Sequence, residues 1–185
     1  FGTKHAPQTQ ARRKPLTVYG PRGLEKLFRA FDEANNYGLT KQPFPLEFKE
    51  IAPRSSFDLL PELHAETFST PHTSESLALK LTDERGASLV FTSDTGYTDA
   101  LADFARGVGL FFMECSFAHD KPTDIHLELA DAMRLATRAA PRRVLLAHLY
   151  PQWDGVDLAA EARKLWSGET IAAYDGLRLN VGDES

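Results

Sequence analysis

The sequence predicts a mixed α/β fold in which helices cover the faces of β-sheets. In the first half, segments with alternating apolar and polar residues follow one another directly, which is typical of neighbouring antiparallel strands. From Thr98 onward, amphipathic helix patterns alternate with short apolar runs. The chain has 185 residues, 42% of them hydrophobic, and it contains no repeat or linker, so we expect one domain over residues 1–185.

The first half contains one predicted helix among several strands. In "PLTVYGPRG", the pair Gly20-Pro21 ends a strand. Apolar side chains spaced i, i+3, i+4, i+7 then predict an amphipathic helix between Gly23 and Tyr37. Four strand-like segments follow, namely "FPLEFKEIA", "LHAETFSTPHT", "SLALKLTDE" and "ASLVFTSD". A hairpin turn at Arg85-Gly86 is expected between the last two.

The second half alternates between helix and strand. The predicted helices are "TDALADFARG", "DIHLELADAMRLATRAA" and "DLAAEARKLW". The predicted strands are "VGLFFMECSF", "RVLLAHLY" and the closing "TIAAYDGLRLNV". We expect the longest of these helices to open at His126.

Bulk properties exclude several classes of protein. The formal net charge of −5 provides no general attraction to nucleic acid backbones. Cys115 is the only cysteine, which excludes an internal disulfide framework and suits a reducing compartment. No apolar stretch approaches the roughly 20 residues that cross a bilayer, and no secretory signal opens the chain. We therefore expect a protein of the cytoplasm with no membrane partner.

Three polar residues share one position in this pattern, because each follows the end of an apolar strand. His72 follows "AETFSTP", Asp94 follows "SLVFTS", and His148 follows "RVLLA". Rigid strands aim the side chains at their ends into a common cleft, and two imidazoles with a carboxylate are typical zinc ligands. Taken singly, a histidine after a strand is more often a surface or satisfied core residue, and Asp94 by itself favours the N-cap of the following helix.

A larger set of motifs resembles a known family. These motifs are "PLTVYGPRGL", "STPHTSESLALKL", "LVFTSDTGYTDALADFARGVGLFFMECSF", "HLELADAMRLA" and "VLLAHLYP". Their order and content are similar to the metallo-β-lactamase-fold hydrolases, and most similar to the branch that contains ribonuclease Z and small phosphodiesterases. The resemblance runs through nearly the whole chain. It implies an α/β fold of the αββα sandwich type.

The resemblance also implies a metal site. In that family the histidine matching His72 binds one metal ion, the histidine matching His148 binds a second, and the aspartate matching Asp94 bridges both. The implied cofactors are two divalent metal ions, zinc in the first place, with manganese or iron as alternatives. An anionic oxygen between two such ions offsets their mutual repulsion.

Two further residues match positions near the family's reacting groups. His126 matches a histidine that stabilises the transition state or protonates the leaving oxygen, and Glu114 matches an acidic residue that orients it. Ribonuclease Z usually has Ser or Thr after this histidine, whereas Leu127 follows here. A structural role therefore stays open for both His126 and Glu114.

The family signature HxHxDH is absent from these residues. His5 stands alone, and "FGTK" resembles the tail of the helix that the signature introduces. We therefore expect an N-terminal part of the fold to be missing from this chain, which would leave apolar surface exposed. Association with that fragment or with a partner, including a second copy of the chain, would cover it.

The predicted function is a metal-dependent hydrolase, namely a phosphodiesterase acting through a hydroxide activated by two metals. A non-catalytic binding or assembly domain is the alternative. The interval between His72 and Asp94 is too short for the arm with which ribonuclease Z binds tRNA. Together with the negative charge, this argues against full-length tRNA and for a small phosphodiester. Trp153 could stack on a base or sugar of that substrate, or be a partly buried surface residue.

Overall fold

The computed structural model describes residues 13–182. These residues form two compact units, which meet in sequence between Ala52 and Pro53. The single domain expected from the sequence stays a prediction. His5 and the "FGTK" segment lie outside the described residues.

Within residues 13–52, the described part of the first unit, there are two strands and one helix. They are β1 (Leu16–Pro21), α1 (Leu24–Ala34) and β2 (Leu46–Ile51), and β1 and β2 pair in parallel. Gly23 precedes the helix with a φ of 92°, a left-handed conformation that glycine adopts without steric cost. The Gly23 N–H donates to the Glu50 carboxylate, 2.9 Å away, so the end of β2 holds the beginning of α1.

A buried carboxylate organises the loop after α1. Asp32 accepts hydrogen bonds from the Thr40 hydroxyl at 2.6 Å, the Thr40 N–H at 3.0 Å and the Leu39 N–H at 2.6 Å. Led by the hydroxyl of Thr40, these hydrogen bonds lower the pKa of Asp32 to about 2, because they favour its charged form.

The second unit is built on a seven-stranded sheet whose strands follow the order of the chain. The strands are β3 (Ser56–Leu60), β4 (Leu63–Ser69), β5 (Leu77–Asp83), β6 (Ser88–Phe91), β7 (Leu110–Glu114), β8 (Arg143–Ala147) and β9 (Glu169–Ala172). Pairing is antiparallel from β3 to β6 and parallel from β6 to β9. This confirms the predicted change from consecutive antiparallel strands to strands that alternate with helices, and it confirms the hairpin turn at Arg85-Gly86. The short edge strand β3 was not predicted.

Three helices provide the connections of the parallel half. They are α2 (Asp99–Phe104), α3 (Leu129–Ala139) and α4 (Leu158–Arg163). Successive crossovers in one direction have the same hand, so their helices lie on one face of the sheet. The core between this face and the helices includes Val90, Leu101, Phe111, Met113, Leu135, Val144, Leu146 and Leu158. Among residues 13–182 no helix exceeds 11 residues, and none is long and apolar enough to span a bilayer.

The opposite face of the sheet is also apolar. A row of aligned residues runs across strands β5 to β9, namely Leu79, Phe91, Phe112, Leu145 and Ile171. Phe91 in this row keeps 39% of its surface exposed. The expected apolar surface left by a missing N-terminal part, and the association that would cover it, stay predictions.

Two expectations from the sequence were wrong in this unit. Helix α3 begins at Leu129 rather than at His126, because Glu128 is still extended and forms a parallel bridge with Phe117. Trp153, at the end of the 3-10 turn Pro151–Trp153, is only 6% exposed. Its indole N–H donates to the Cys115 carbonyl at 2.8 Å, so the ring belongs to the core and is not available to stack on a substrate.

Candidate metal centre

The residues proposed from the sequence converge at one edge of the seven-stranded sheet. Strands β4, β6, β7 and β8 all run in the same direction, so their carboxyl ends share this edge. His72, Asp94 and His148 follow β4, β6 and β8, and Glu114 is the last residue of β7. His126 reaches the same place from the loop between β7 and α3, with its ring centroid 5.0 Å from that of His72.

The Asp94 carboxylate faces two imidazole rings. Its Oδ2 lies 4.0 Å from Nε2 of His72, and its Oδ1 lies 3.6 Å from Nε2 of His148. Both separations are too long for direct hydrogen bonds. Each carboxylate oxygen therefore faces a different histidine across a short gap, which is the arrangement expected of a bridging ligand.

The donor atoms have the chemistry and spacing of a metal site. Ligands of one tetrahedral zinc ion lie about 2.1 Å from the metal and hence about 3.4 Å from each other. The separation of 3.6 Å between His148 Nε2 and Asp94 Oδ1 is close to this value, and 4.0 Å at His72 needs a wider angle. The Asp94 side chain is 41% exposed, so the gaps are open to an entering ion. The residues fit divalent metals.

Serine hydroxyls hold the other ring nitrogens of both histidines. Nδ1 of His72 lies 3.2 Å from Oγ of Ser76, and Nδ1 of His148 lies 2.8 Å from Oγ of Ser116. Hydrogen bonds at Nδ1 fix the orientation of a metal-binding imidazole while Nε2 faces the metal. Both rings therefore present the same nitrogen to Asp94.

His126 makes a different contact, because its Nδ1 lies 2.8 Å from Oε1 of Glu114. The Glu114 side chain is 1% exposed and accepts several other hydrogen bonds. They come from the N–H of Thr95 at 2.7 Å, the N–H of Leu127 at 3.2 Å and the hydroxyl of Ser116 at 2.7 Å. The carboxylate thus links the loops that carry Asp94 and His126 to strand β7.

These hydrogen bonds exclude Glu114 as a metal ligand. Ligand atoms of Glu114, His126 and His148 lie within 4.8 Å of one another, which is close enough for a metal site. Both oxygens of Glu114 already accept hydrogen bonds from the protein, and the Nδ1 atoms of His126 and His148 face Glu114 and Ser116. The side of the cluster that could hold a metal ion is therefore the side of the Nε2 atoms and Asp94.

The backbone turns sharply where the ligands leave the sheet. Ser93 and His148 have φ values of 54° and 56°, in the left-handed region that costs a non-glycine residue roughly 1–2 kcal/mol. The Thr70 hydroxyl donates to the Asp94 carbonyl at 3.1 Å, and the Ser93 hydroxyl donates to the Leu77 carbonyl at 2.9 Å. Such strain is found where a function requires a particular side-chain direction.

Asp94 is not a helix cap. Helix α2 begins at Asp99, and its N-cap residue is Thr98. The alternative that remained open from the sequence is therefore wrong, since four residues separate Asp94 from the first helical residue.

Gly96 joins the loops that carry the site. Its N–H donates to the Pro71 carbonyl at 2.8 Å, beside His72. A Cβ atom at this position would lie 2.0 Å from the carbonyl oxygen of Asp124, which belongs to the loop that carries His126. Only glycine allows the three loops to approach this closely.

Sequence reasoning missed Ser116 and Gly96, because only their neighbours in space give them a role. Two further histidines, for which the sequence indicates no role, lie outside the cluster. His64 contacts Ser56 and Asp58 on the exposed edge of the sheet, and His119 pairs with its neighbour Asp120. The structure therefore brings together all five proposed site residues, while their individual roles stay predictions.

Histidines on both sides of one carboxylate, at the end of a mixed sheet covered by helices, are the arrangement expected of the metal site in a metal-dependent hydrolase. A family model described as "Beta-lactamase superfamily domain" matches residues 4–149, and the chain belongs to this family. Its members are metal-dependent hydrolases. The predicted fold class and the resemblance on which it rested are thereby confirmed.

Individual relatives agree with this assignment. An uncharacterised protein of Mycobacterium leprae (strain TN) is 36% identical over 134 residues, which are 71% of this chain and 45% of that protein. The probable metallo-hydrolase YhfI of Bacillus subtilis (strain 168) is 31% identical over 110 residues, which are 58% of this chain and 44% of YhfI. Ribonuclease Z of Shouchella clausii (strain KSM-K16) is 25% identical over 193 residues, covering 76% of this chain and 61% of that enzyme.

A solved structure has the same fold. The crystal structure of the metallo-β-lactamase fold protein YhfI from Bacillus subtilis superposes with a TM-score of 0.73 at 24% identity, covering 88% of this chain and 64% of that one. The chain spans less than half the length of the Mycobacterium leprae protein and of YhfI in the sequence comparison.

Proposed function

We propose that this protein is a metal-dependent phosphodiesterase that hydrolyses a small phosphodiester. The observation that carries the proposal is the position of Asp94, whose two carboxylate oxygens each face the Nε2 atom of a different histidine. A carboxylate shared in this way suits two metal ions held close together, the arrangement that stabilises both the attacking and the leaving oxygen of a displacement at phosphorus.

Each ligand has a separate part in this proposal. His72 and one oxygen of Asp94 would hold the first ion, and His148 and the other oxygen would hold the second. Divalent ions of zinc, manganese or iron would supply Lewis-acid activation of water at neutral pH.

His126 and Glu114 act beside the ligands. With Nδ1 bonded to Glu114, the ring of His126 presents Nε2 away from that carboxylate, and its centroid lies 5.4 Å from that of His148. A proton on Nε2 can then pass to the leaving oxygen or stabilise charge on the phosphoryl group. The Glu114 carboxylate fixes the orientation of the ring.

The size of the substrate follows from the connection between His72 and Asp94. This connection consists of β5, the Arg85-Gly86 turn and β6, and it has no room for a tRNA-binding arm. Ribonuclease Z of Shouchella clausii is a relative, but the net charge of −5 opposes binding of a long polyanion. A small phosphodiester, such as a cyclic nucleotide, fits better. The buried single Cys115 suits a reducing compartment, and we place the protein in the cytoplasm.

The test combines metal content with turnover. The purified protein is loaded with zinc or manganese, its metal content per chain is measured by mass spectrometry, and it is assayed with bis(p-nitrophenyl) phosphate. Asp94→Asn keeps the shape of the side chain but removes its charge. We expect turnover to fall by more than about 100-fold, beyond the 10–100-fold typical of losing a partner outside the coordination sphere.

Asp120→Asn is the matched control. The side chain of Asp120 is 93% exposed and contacts the equally solvated His119, so turnover should not change. Full turnover in Asp94→Asn would contradict the bridging role. Absence of both metal and turnover in the unmutated protein would favour the alternative of a non-catalytic binding domain.

A further inference from the structure

We propose that Ser116 is a positioning residue that connects Glu114 to His148 and determines which ring nitrogen of His148 carries the proton. The proposal rests on the proposed function only where it concerns metal binding. The state of the ring is a property of the protein alone and can be measured without metal.

The Ser116 hydroxyl lies between two close polar partners, and Nδ1 of His126 is farther away at 3.4 Å. Its Oγ is 2.7 Å from Oε2 of Glu114 and 2.8 Å from Nδ1 of His148. Each of these distances is that of a hydrogen bond and therefore requires a proton between the two heavy atoms. A serine hydroxyl has one proton, so it can donate to only one of its two partners.

Glu114 decides which partner receives this proton. Its oxygens already accept from the backbone N–H groups of Thr95 and Leu127, which can only donate, and the side chain is buried. Carboxyl oxygens that accept from N–H groups in this way serve as acceptors toward a neighbouring hydroxyl as well. The Ser116 hydroxyl therefore donates to Glu114, and the contact between Ser116 and His148 is completed by a proton on Nδ1 of His148.

The consequence appears at the other nitrogen of the ring. With the proton on Nδ1, a neutral His148 has a lone pair on Nε2, and this lone pair faces Oδ1 of Asp94 at 3.6 Å. Two acceptors then face each other with no proton between them, so the gap suits a cation. Glu114 thus prepares His148 for metal binding through Ser116, as well as contacting His126 directly.

Ser116 also supports the backbone around His148. The Ser116 carbonyl accepts a hydrogen bond from the N–H of Tyr150 at 3.0 Å, two residues beyond His148. His148 itself has a left-handed φ of 56°. The backbone and side chain of Ser116 therefore hold the turn and the ring together.

His72 provides a contrast within the same centre. Its neighbour Ser76 accepts from the Thr73 N–H at 3.2 Å and also contacts the Thr73 hydroxyl at 2.9 Å. The proton of Ser76 can go either to that hydroxyl or to the ring of His72. The structure therefore determines the tautomer of His148 but not that of His72.

The first test is NMR of the metal-free protein with ¹⁵N-labelled histidine, at a pH where the rings are neutral. Ring signals are assigned with His148→Gln and His72→Gln. We expect the wild-type His148 to carry its proton on Nδ1. In Ser116→Ala the fraction with the proton on Nε2 should rise, whereas the control Ser76→Ala should leave the spectrum of His148 unchanged. A wild-type His148 protonated on Nε2 overturns the proposal, and this result needs no variant.

Glu114→Gln provides a second variant. The amide oxygen should keep the closer contacts to Thr95 and His126, at 2.7 and 2.8 Å, which places the amide NH₂ toward Ser116. The Ser116 hydroxyl then accepts from Gln and donates to His148. We expect the proton of His148 to move to Nε2, and an unchanged Nδ1–H form overturns the proposal.

The second measurement is zinc affinity by competition with a chromophoric chelator. We expect Ser116→Ala to bind zinc about 10–100-fold more weakly than wild type, the range typical of losing a partner of a metal-binding histidine. If the tautomer changes while the zinc affinity does not, the positioning role of Ser116 is supported. The same result shows that His148 does not bind the metal, and so it contradicts the proposed function. An unchanged tautomer in Ser116→Ala overturns the positioning role whatever the affinity.

Discussion

Gly96→Ala should destabilise the protein through a single steric contact. The added Cβ would lie 2.0 Å from the carbonyl oxygen of Asp124, whereas ordinary contact begins at 3.4 Å. Either the loop at Asp124 or the loop at Gly96 must therefore move by about 1.4 Å, the difference between these two distances. Because the contacted atom is a backbone oxygen, rotation of a side chain cannot relieve the contact.

The size of the effect has two contributions. Forcing an extra methyl group into a packed site costs about 1–3 kcal/mol. Movement of Gly96 also weakens the hydrogen bond from its N–H to the Pro71 carbonyl, which contributes about 1 kcal/mol. We therefore expect Gly96→Ala to lower the free energy of unfolding by about 2–4 kcal/mol. Zinc affinity should fall as well, because the loop of Gly96 also carries Asp94, and its hydrogen bond to Pro71 holds the loop of His72.

Urea denaturation followed by circular dichroism measures the first effect. Gly182→Ala is the matched control, because its φ is not positive and the nearest atoms to an added Cβ lie 3.6 and 3.7 Å away. The two variants make the same chemical change and differ in the contact alone. If Gly96→Ala unfolds within about 0.5 kcal/mol of Gly182→Ala, the range of an ordinary surface substitution, the argument from loop packing is refuted.

Two further predictions follow from perturbed pKa values. Hydrogen bonds from Thr40 and Leu39 lower the pKa of Asp32 from the ordinary 3.8 to about 2, so the stability that Asp32 gives the folded protein is complete above pH 3.8 and is lost as the pH falls through about 2. An NMR titration of its carboxyl carbon should have a midpoint near 2, and a midpoint near 3.8 would contradict this prediction. Burial raises the pKa of the Cys115 thiol, so iodoacetamide at about pH 8 should modify this thiol only in denaturant. Intact mass measures the modification, and rapid labelling of the native protein would contradict the prediction by showing that the thiol is accessible.

Much of the fold could be predicted because its elements carry regular apolar patterns. Helix α1 and strands β5 and β6 follow the 3.6-residue and two-residue periods of the sequence. Strand β3 alternates as well, but over only five residues at the edge of the sheet, and its pairing with β4 shifts register between Asp58 and Leu60, so its pattern is too short to distinguish it from a loop. The beginning of α3 was placed three residues too early, since the bridge between Phe117 and Glu128 is a tertiary contact that no local pattern indicates.

Part of the candidate site could be predicted because it follows from the pattern of strands. His72, Asp94 and His148 are polar residues at strand ends, and this position is visible in the sequence. The role of Ser116 depends on Glu114 and on a histidine 32 residues away, so nothing near it in the sequence distinguishes it from other serines. Trp153 shows the converse error, because its proximity to His148 in sequence suggested a place in the cleft that its buried hydrogen bond excludes.

The hairpin between β5 and β6 separates the site from the far end of the sheet. His72 precedes β5 and Asp94 follows β6, so the turn at Arg85-Gly86 lies one strand length away, about 20 Å for the seven residues of β5. Asp83 closes this turn by accepting from the N–H of Arg85 and of Ala87, and Gly86 is in the left-handed region. A fluorophore or surface-attachment group at position 85 would therefore report on the protein without entering its metal centre, which makes this turn a suitable point for immobilisation.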